Sequence, residues 1–199
     1  MRGGCNLIDK VGGPRIAADK NERLIGLWKS LQSGRKFPRD ISKQLYYAAK
    51  EAYDLNDFSL IDADLCAWVG FVASFRAKFF GGYSGASTGG YVRQAVTNIE
   101  RQIRALADVT FVSGDYRDIY IPENSLIYLD PPYRGTTEYR TGGIDYEDFY
   151  DFCRELYLLG HTVFISEYYM PDDFVEVFSC ELKGGFKADK IGIEKLYTI

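Results

Sequence analysis

Imidazole is nearly absent from this chain of 199 residues, whose one histidine is His161. It opens an apolar run, His161-Thr-Val-Phe-Ile-Ser166, and has no second histidine to share a metal, which excludes HExxH metalloenzymes. No GxSxG elbow is present to hold a serine nucleophile. Cysteine is sparse as well. Cys5, Cys66, Cys153 and Cys180 lie far apart with no CxxC pair, the pattern of reduced thiols and not of a zinc site or a disulfide framework. Long apolar runs are lacking too. The longest stretch without charge or strong polarity, Leu65 to Ala73, is too short to span a bilayer, and Met-Arg-Gly-Gly-Cys leads into no signal-type apolar core. The expectation is a cytoplasmic protein that uses neither metal nor membrane.

Basic side chains number 24 against 28 acidic ones, a net charge of −4 that argues against a general polyanion-binding surface. Any contact with phosphate then has to come from a local basic patch. The length suits one domain with a modest insertion, and 46% apolar residues suffice for a substantial core.

Along the chain, a helical middle is flanked by strand-like segments. Arg15–Ala18 reads as a short strand ending in Asp19. Asn21 then caps a helix carrying Leu24, Leu27, Trp28 and Leu31 on one face, with Gly34 as its stop. Asp40 opens a second helix (Ile41, Leu45, Ala48, Ala52), and a third apolar segment covers 59–75. The glycine-dense stretch 76–90 cannot be helix or strand interior. A fourth helix follows, with Val92, Val96, Ile99, Ile103 and Leu106 on its buried side.

From residue 109 the pattern becomes strand–helix alternation. Val109–Val112 ends in Ser113-Gly-Asp115, and Leu126–Leu129 ends in Asp130. A helix then runs from Asp145 to Leu159, stopped by Gly160, before a buried strand at Thr162–Ile165 and a C-terminal edge strand at Ile193–Ile199. Short apolar strands separated by helices predict an α/β fold with a mainly parallel sheet covered on both faces. Ligands bind such sheets at the carboxyl ends of the strands, where Asp19, Asp115 and Asp130 would point three carboxylates at one rim.

The informative segment is Asp130-Pro131-Pro132-Tyr133 at the mouth of a strand. A turn alone would account for the prolines but not for the acid and the aromatic that bracket them. Methylation of an exocyclic amine accounts for both. The amine lone pair is delocalised into its ring, and two acceptors aimed at its two N–H bonds can localise it. Asp130 supplies one acceptor and the Pro131 carbonyl the other, while Tyr133 offers a face for stacking an extruded base. The prolines hold that geometry rigid.

With these motifs in this order, the chain resembles the Dam-type DNA adenine-N6 methyltransferases, especially their short phage-borne members, over nearly its whole length. The resemblance implies a Rossmann-like class I methyltransferase sheet with a small helical target-recognition insertion. Residues 1–34 and 91–199 would form the catalytic domain and 35–90 the recognition subdomain. It implies S-adenosylmethionine as cofactor, bound by Gly3, Gly4, Cys5 and Asn6 of the loop, Asp19 at the ribose hydroxyls, Asp115 and Tyr116 at the adenine, and Asp130. Asp130, Pro131, Pro132 and Tyr133 would be catalytic. Ser166-Glu-Tyr168 and Glu194-Lys-Leu-Tyr197 resemble family segments as well.

Double-stranded DNA is the implied partner of a monomeric enzyme. Lys78 matches a lysine of the phage-type recognition loop, and Arg76, Tyr83 and Arg93 join it as candidate DNA contacts. Tyr139, in the loop after the tetrad, is a candidate lid residue over the flipped base. Related enzymes for RNA adenine or protein glutamine usually begin the tetrad with Asn, and DNA cytosine-N4 enzymes with Ser. Asp130 therefore favours DNA adenine, with RNA adenine and cytosine N4 as alternative substrates. One departure stands out. Family members carry a strand ending in Pro-Phe-x-Gly-Gly, whereas this sequence opens at Met1-Arg-Gly-Gly. The expectation is an N-terminally truncated sheet lacking a strand beside the one that bears the tetrad. A later start than the true one, a natural fragment, and a differently built motif all fit, and a non-catalytic remnant that at most binds DNA is the alternative to an active enzyme.

Overall fold

The computed structural model describes residues 5–75, 78–84, 90–134, 144–182 and 192–199. They fall into two compact units, Met1–Ile119 and Tyr120–Ile199. Secondary structure is mixed α/β in both.

The first unit contains β1 (Arg15–Asp19), α1 (Glu22–Gln32), α2 (Lys43–Leu55), α3 (Ala63–Val72), α4 (Tyr91–Ala105) and β2 (Val109–Ser113). Asn21 caps α1 by accepting the N–H groups of Arg23 and Leu24 at 3.2 and 3.3 Å. The chain leaves the helix through Gly34, whose φ of +87° suits glycine. The α2 cap is Ser42 and not Asp40, because Ser42 Oγ accepts the Leu45 N–H at 3.0 Å. Asp62 caps α3, whose residues from Cys66 to Val72 are all buried. A helix apolar on every side belongs at the centre. Leu24, Leu27 and Trp28 of α1, Tyr46 and Ala49 of α2, the α3 run, and Phe111 of β2 share one core, in which Trp28 stacks on Phe111. Strands β1 and β2 pair in parallel from Arg15↔Val109 to Asp19↔Ser113, so both end at the same rim.

The second unit contains β3 (Leu126–Leu129), α5 (Tyr146–Leu158), β4 (Thr162–Glu167), β5 (Val175–Leu182) and β6 (Gly192–Thr198), in the sheet order β3-β4-β6-β5. Only β3 and β4 are parallel, and the two remaining pairings are antiparallel. The predicted, mainly parallel sheet is corrected accordingly: among the described residues the strands form a two-stranded parallel sheet and a four-stranded mixed sheet. The C-terminal strand is interior and not an edge, because β5 pairs with its outer side. Asp145 caps α5, Gly160 at φ +86° ends it, and Phe149, Tyr150, Cys153 and Leu156 form its buried face. His161 is a structural residue. Its Nδ1 accepts the Ser125 N–H at 3.2 Å, tying the entrance of β3 to that of β4. Among the described residues, β3 pairs along one side only, and Leu126 and Tyr128 are exposed. The expected burial of this strand on both faces does not hold. No helix among the described residues is long and apolar enough to cross a membrane.

Candidate functional site

In the second unit, β3 delivers the tetrad at its carboxyl end. Asp130 is exposed there, while Pro131 is buried and Pro132 and Tyr133 are half-buried. Side chains from α5, β4 and β6, together with Tyr168 just after β4, brace the backbone and ring of this segment. Tyr146, at the start of α5, donates through Oη to the Pro132 carbonyl at 2.6 Å. No donor among the described residues reaches the Pro131 carbonyl, the one assigned to the substrate amine. Glu167, buried at the end of β4, accepts the Arg134 N–H at 3.1 Å and the Tyr168 N–H at 2.7 Å.

The Tyr133 phenol is the most constrained group. Its oxygen lies 2.6 Å from Ser166 Oγ and donates to Glu194 Oε1. Ser166 Oγ also reaches that carboxylate, at 3.3 Å. The Tyr168 ring meets the Tyr133 ring edge-on, with centroids 4.6 Å apart at 76°. Burial, followed by the Glu194 acceptor, holds the phenol protonated far above the ordinary tyrosine range, and the charge of Asp130 acts in the same direction. Tyr133 is therefore a neutral ring whose hydroxyl keeps its proton and donates it to Glu194. Sequence reading singled out Ser166–Tyr168 and Glu194–Tyr197 without giving them a role, and it missed Tyr146. Ser166 and Glu167 directly follow the apolar run Val163–Ile165, and the carboxyl end of such a strand is where ligand-facing groups are expected.

In the first unit, β1 and β2 bring Asp19 and Asp115 to one rim, where the Gly114 N–H donates to the Asp19 carbonyl at 3.2 Å. Asp19 Oδ1 accepts the Asn21 N–H at 2.7 Å. No donor among the described residues reaches its Oδ2. Burial raises the Asp19 pKa and the Asn21 bond lowers it. Asp115 is differently placed, since both of its oxygens are engaged. Arg117 donates through Nε at 2.9 Å and Nη2 at 3.1 Å, and Lys20 Nζ lies at 3.4 Å. The Arg117 guanidinium holds this carboxyl well below the usual range. Tyr116 follows at the start of a short 3₁₀ turn, with the Arg117 guanidinium 5.4 Å from its ring centre. Cys5 is half-buried with a positive φ of 52°. Burial, then the charges of Asp19 and Asp9, push its thiol up to about 11. Asn6 is exposed and accepts from Gln102 at 3.4 Å. Gly3 and Gly4 lie outside the described residues.

The candidate DNA contacts within the described residues differ in their surroundings. Lys78 is exposed. Arg93 pairs with Asp40 at 2.9 Å on the surface, which links α4 to the segment ahead of α2. Tyr83 is half-buried against the core: its hydroxyl donates to the Ile41 carbonyl at 2.6 Å and its ring packs on Tyr46. Phe80 is buried and Phe79 half-buried beside it, so these aromatics of the glycine-dense loop serve packing. Arg76 and Tyr139 lie outside the described residues. No protein-family model matches the chain, and no curated protein matches it.

Proposed function

We propose that this chain is a Dam-type DNA methyltransferase acting on N6 of adenine, built on a Rossmann-like class I sheet. One observation carries the reading: Asp-Pro-Pro-Tyr leaves the carboxyl end of β3 with Asp130 exposed and Tyr133 immobilised by Ser166, Glu194 and Tyr168. Asp130 accepts one N–H of the extruded base and the Pro131 carbonyl accepts the other, which localises the amine lone pair. Tyr133 stacks on the heterocycle. The displaced proton leaves to solvent or through Asp130. S-adenosylmethionine, when bound, supplies a methyl group whose C–S bond breaks as the N–C bond forms. Asp19 would hold its ribose hydroxyls, and Asp115 would hold its adenine amine in place of a bond now made to Lys20 or Arg117. Lys78 supplies a phosphate contact, with double-stranded DNA as the partner.

The engagement of Asp115 by two cations favours a second reading, a remnant that binds DNA without methylating it. Calorimetry with S-adenosylmethionine separates the two, since only the enzyme gives a saturable signal. The direct test incubates the purified chain with duplex DNA and the cofactor and measures N6-methyladenine after digestion to nucleosides. Wild type should form it. Asp130→Asn should lower turnover by about 100-fold or more with cofactor affinity kept, because a donor replaces a charged acceptor. Turnover near wild type in that variant sinks the assignment.

A further inference from the structure

We infer that Glu194, acting with Ser166, is a positioning residue that fixes the orientation of the Tyr133 ring against the target base. The inference rests on the methyltransferase reading and deepens it, because neither residue is needed to explain the chemistry at Asp130.

The argument begins with strand register. Ser166 of β4 lies opposite Leu196 of β6, and side chains two apart on a strand share a face, so Glu194 lies on the face that carries Ser166. Tyr128 of β3 pairs with Phe164, two residues before Ser166, and therefore shares that face as well. Two prolines follow Asp130, and the Tyr133 phenol comes to rest against Ser166 Oγ and Glu194 Oε1. The acceptor is 61 residues away in sequence. A charged acceptor makes this a strong hydrogen bond, and the one Ser166 hydroxyl proton faces both the Tyr133 oxygen at 2.6 Å and the same carboxylate oxygen at 3.3 Å.

Geometry shows what such a bond can and cannot fix. A tyrosine oxygen lies on the axis about which the ring turns. Hydrogen bonds to it pin the direction of that axis and leave the ring plane free. The plane is set separately, by the edge-on contact with Tyr168. Two independent restraints thus define the whole orientation of the ring, and Glu194 supplies one of them. Stacking depends on that orientation, and a misplaced base departs from the in-line path of methyl transfer.

The test is a variant cycle on the full chain with three readouts: N6-methyladenine formation, cofactor affinity by calorimetry, and the Tyr133 resonance in protein labelled at the tyrosine ζ carbon. Glu194→Ala should shift that resonance and cut kcat by about tenfold, with cofactor affinity within about twofold of wild type. Glu194→Gln keeps an acceptor oxygen and should restore most of the rate. In a Tyr133→Phe background the hydroxyl is gone, so Glu194→Ala should cost nothing further. Four results overturn the inference. An unmoved Tyr133 resonance means the contact is absent. A shifted resonance with unchanged kcat means the contact does not position the base, and leaves the methyltransferase reading standing. An additive loss in the Tyr133→Phe background means Glu194 serves the fold generally. If wild type forms no N6-methyladenine while its resonance responds to Glu194→Ala, the methyltransferase reading fails and the positioning role goes with it.

Discussion

Glu167 and Arg134 are joined through the Arg134 N–H, which donates to the Glu167 carboxylate at 3.1 Å and so fastens the residue after Tyr133 to the end of β4. Glu167 is 1% exposed, and its second oxygen accepts the Tyr168 N–H. Burial raises this carboxyl above its usual range, while the two N–H donors and the Arg134 charge act against that rise.

The first prediction concerns Glu167→Gln. Glutamine keeps one acceptor oxygen and sets an amide donor against the other N–H, leaving a buried donor unsatisfied at a cost of about 1–3 kcal/mol. The pH dependence has a definite sign. A carboxyl whose pKa is raised on folding binds its proton more tightly in the native state. Its contribution to stability is therefore full below the unfolded pKa and declines as pH rises through the folded one. Urea denaturation should show wild type ahead of the variant by the larger margin at pH 4 and by a smaller one at pH 7. A margin that widens with pH would contradict the raised pKa.

Much of the local structure was legible because its determinants are local. Asn21 and Gly34 bracket α1, and Asp145 and Gly160 bracket α5, where the sequence places them. Asp40 misled because Ser42, two residues on, has the side chain that reaches the first turn of α2. Sheet topology was less legible. The apolar run Leu126–Leu129 reads as a strand buried on both faces, but its partners are set by residues far along the chain, and β6 inserts between β4 and β5. The candidate site divides in the same way. Asp130–Tyr133 stands out within one segment, whereas the bonds from Tyr133 to Ser166 and Glu194 exist only through the β4–β6 register. No periodicity in the sequence encodes a contact of that span.

The second prediction uses the thiols. Burial pushes Cys66 up to about 11 and Cys153 to about 12, and Cys5 is raised by burial and then by Asp19. Cys180 is exposed. The thiolate is the reactive form, so under native conditions at pH 8 iodoacetamide should label Cys180 first and the other three slowly. Cys180→Ser should abolish the fast phase. Asp19→Asn removes a nearby negative charge and should speed labelling of Cys5. Peptide mapping reads each site, and an unchanged Cys5 rate in Asp19→Asn would show that the two residues are not electrostatically linked.

The third prediction sets two opposed effects against each other at Gly70, in the middle of α3. Alanine in place of glycine inside a helix ordinarily stabilises by about 1 kcal/mol. Here the added methyl would fall on the Phe79 ring, whose Cζ would lie 2.8 Å from it. That ring has little room to yield, because it packs against Phe71, Tyr53 and Phe80 at centroid distances of 4.6, 5.0 and 4.7 Å. Overpacking of this kind costs about 1–3 kcal/mol, enough to cancel or exceed the helical gain. Gly70→Ala should therefore lower the urea midpoint at unchanged slope. Adding Phe79→Leu, which trades the ring for a smaller side chain, should make the same alanine neutral or favourable. If Gly70→Ala alone raises the midpoint, the close packing of α3 on Phe79 is wrong, and with it the tight aromatic anchoring of the glycine-dense loop.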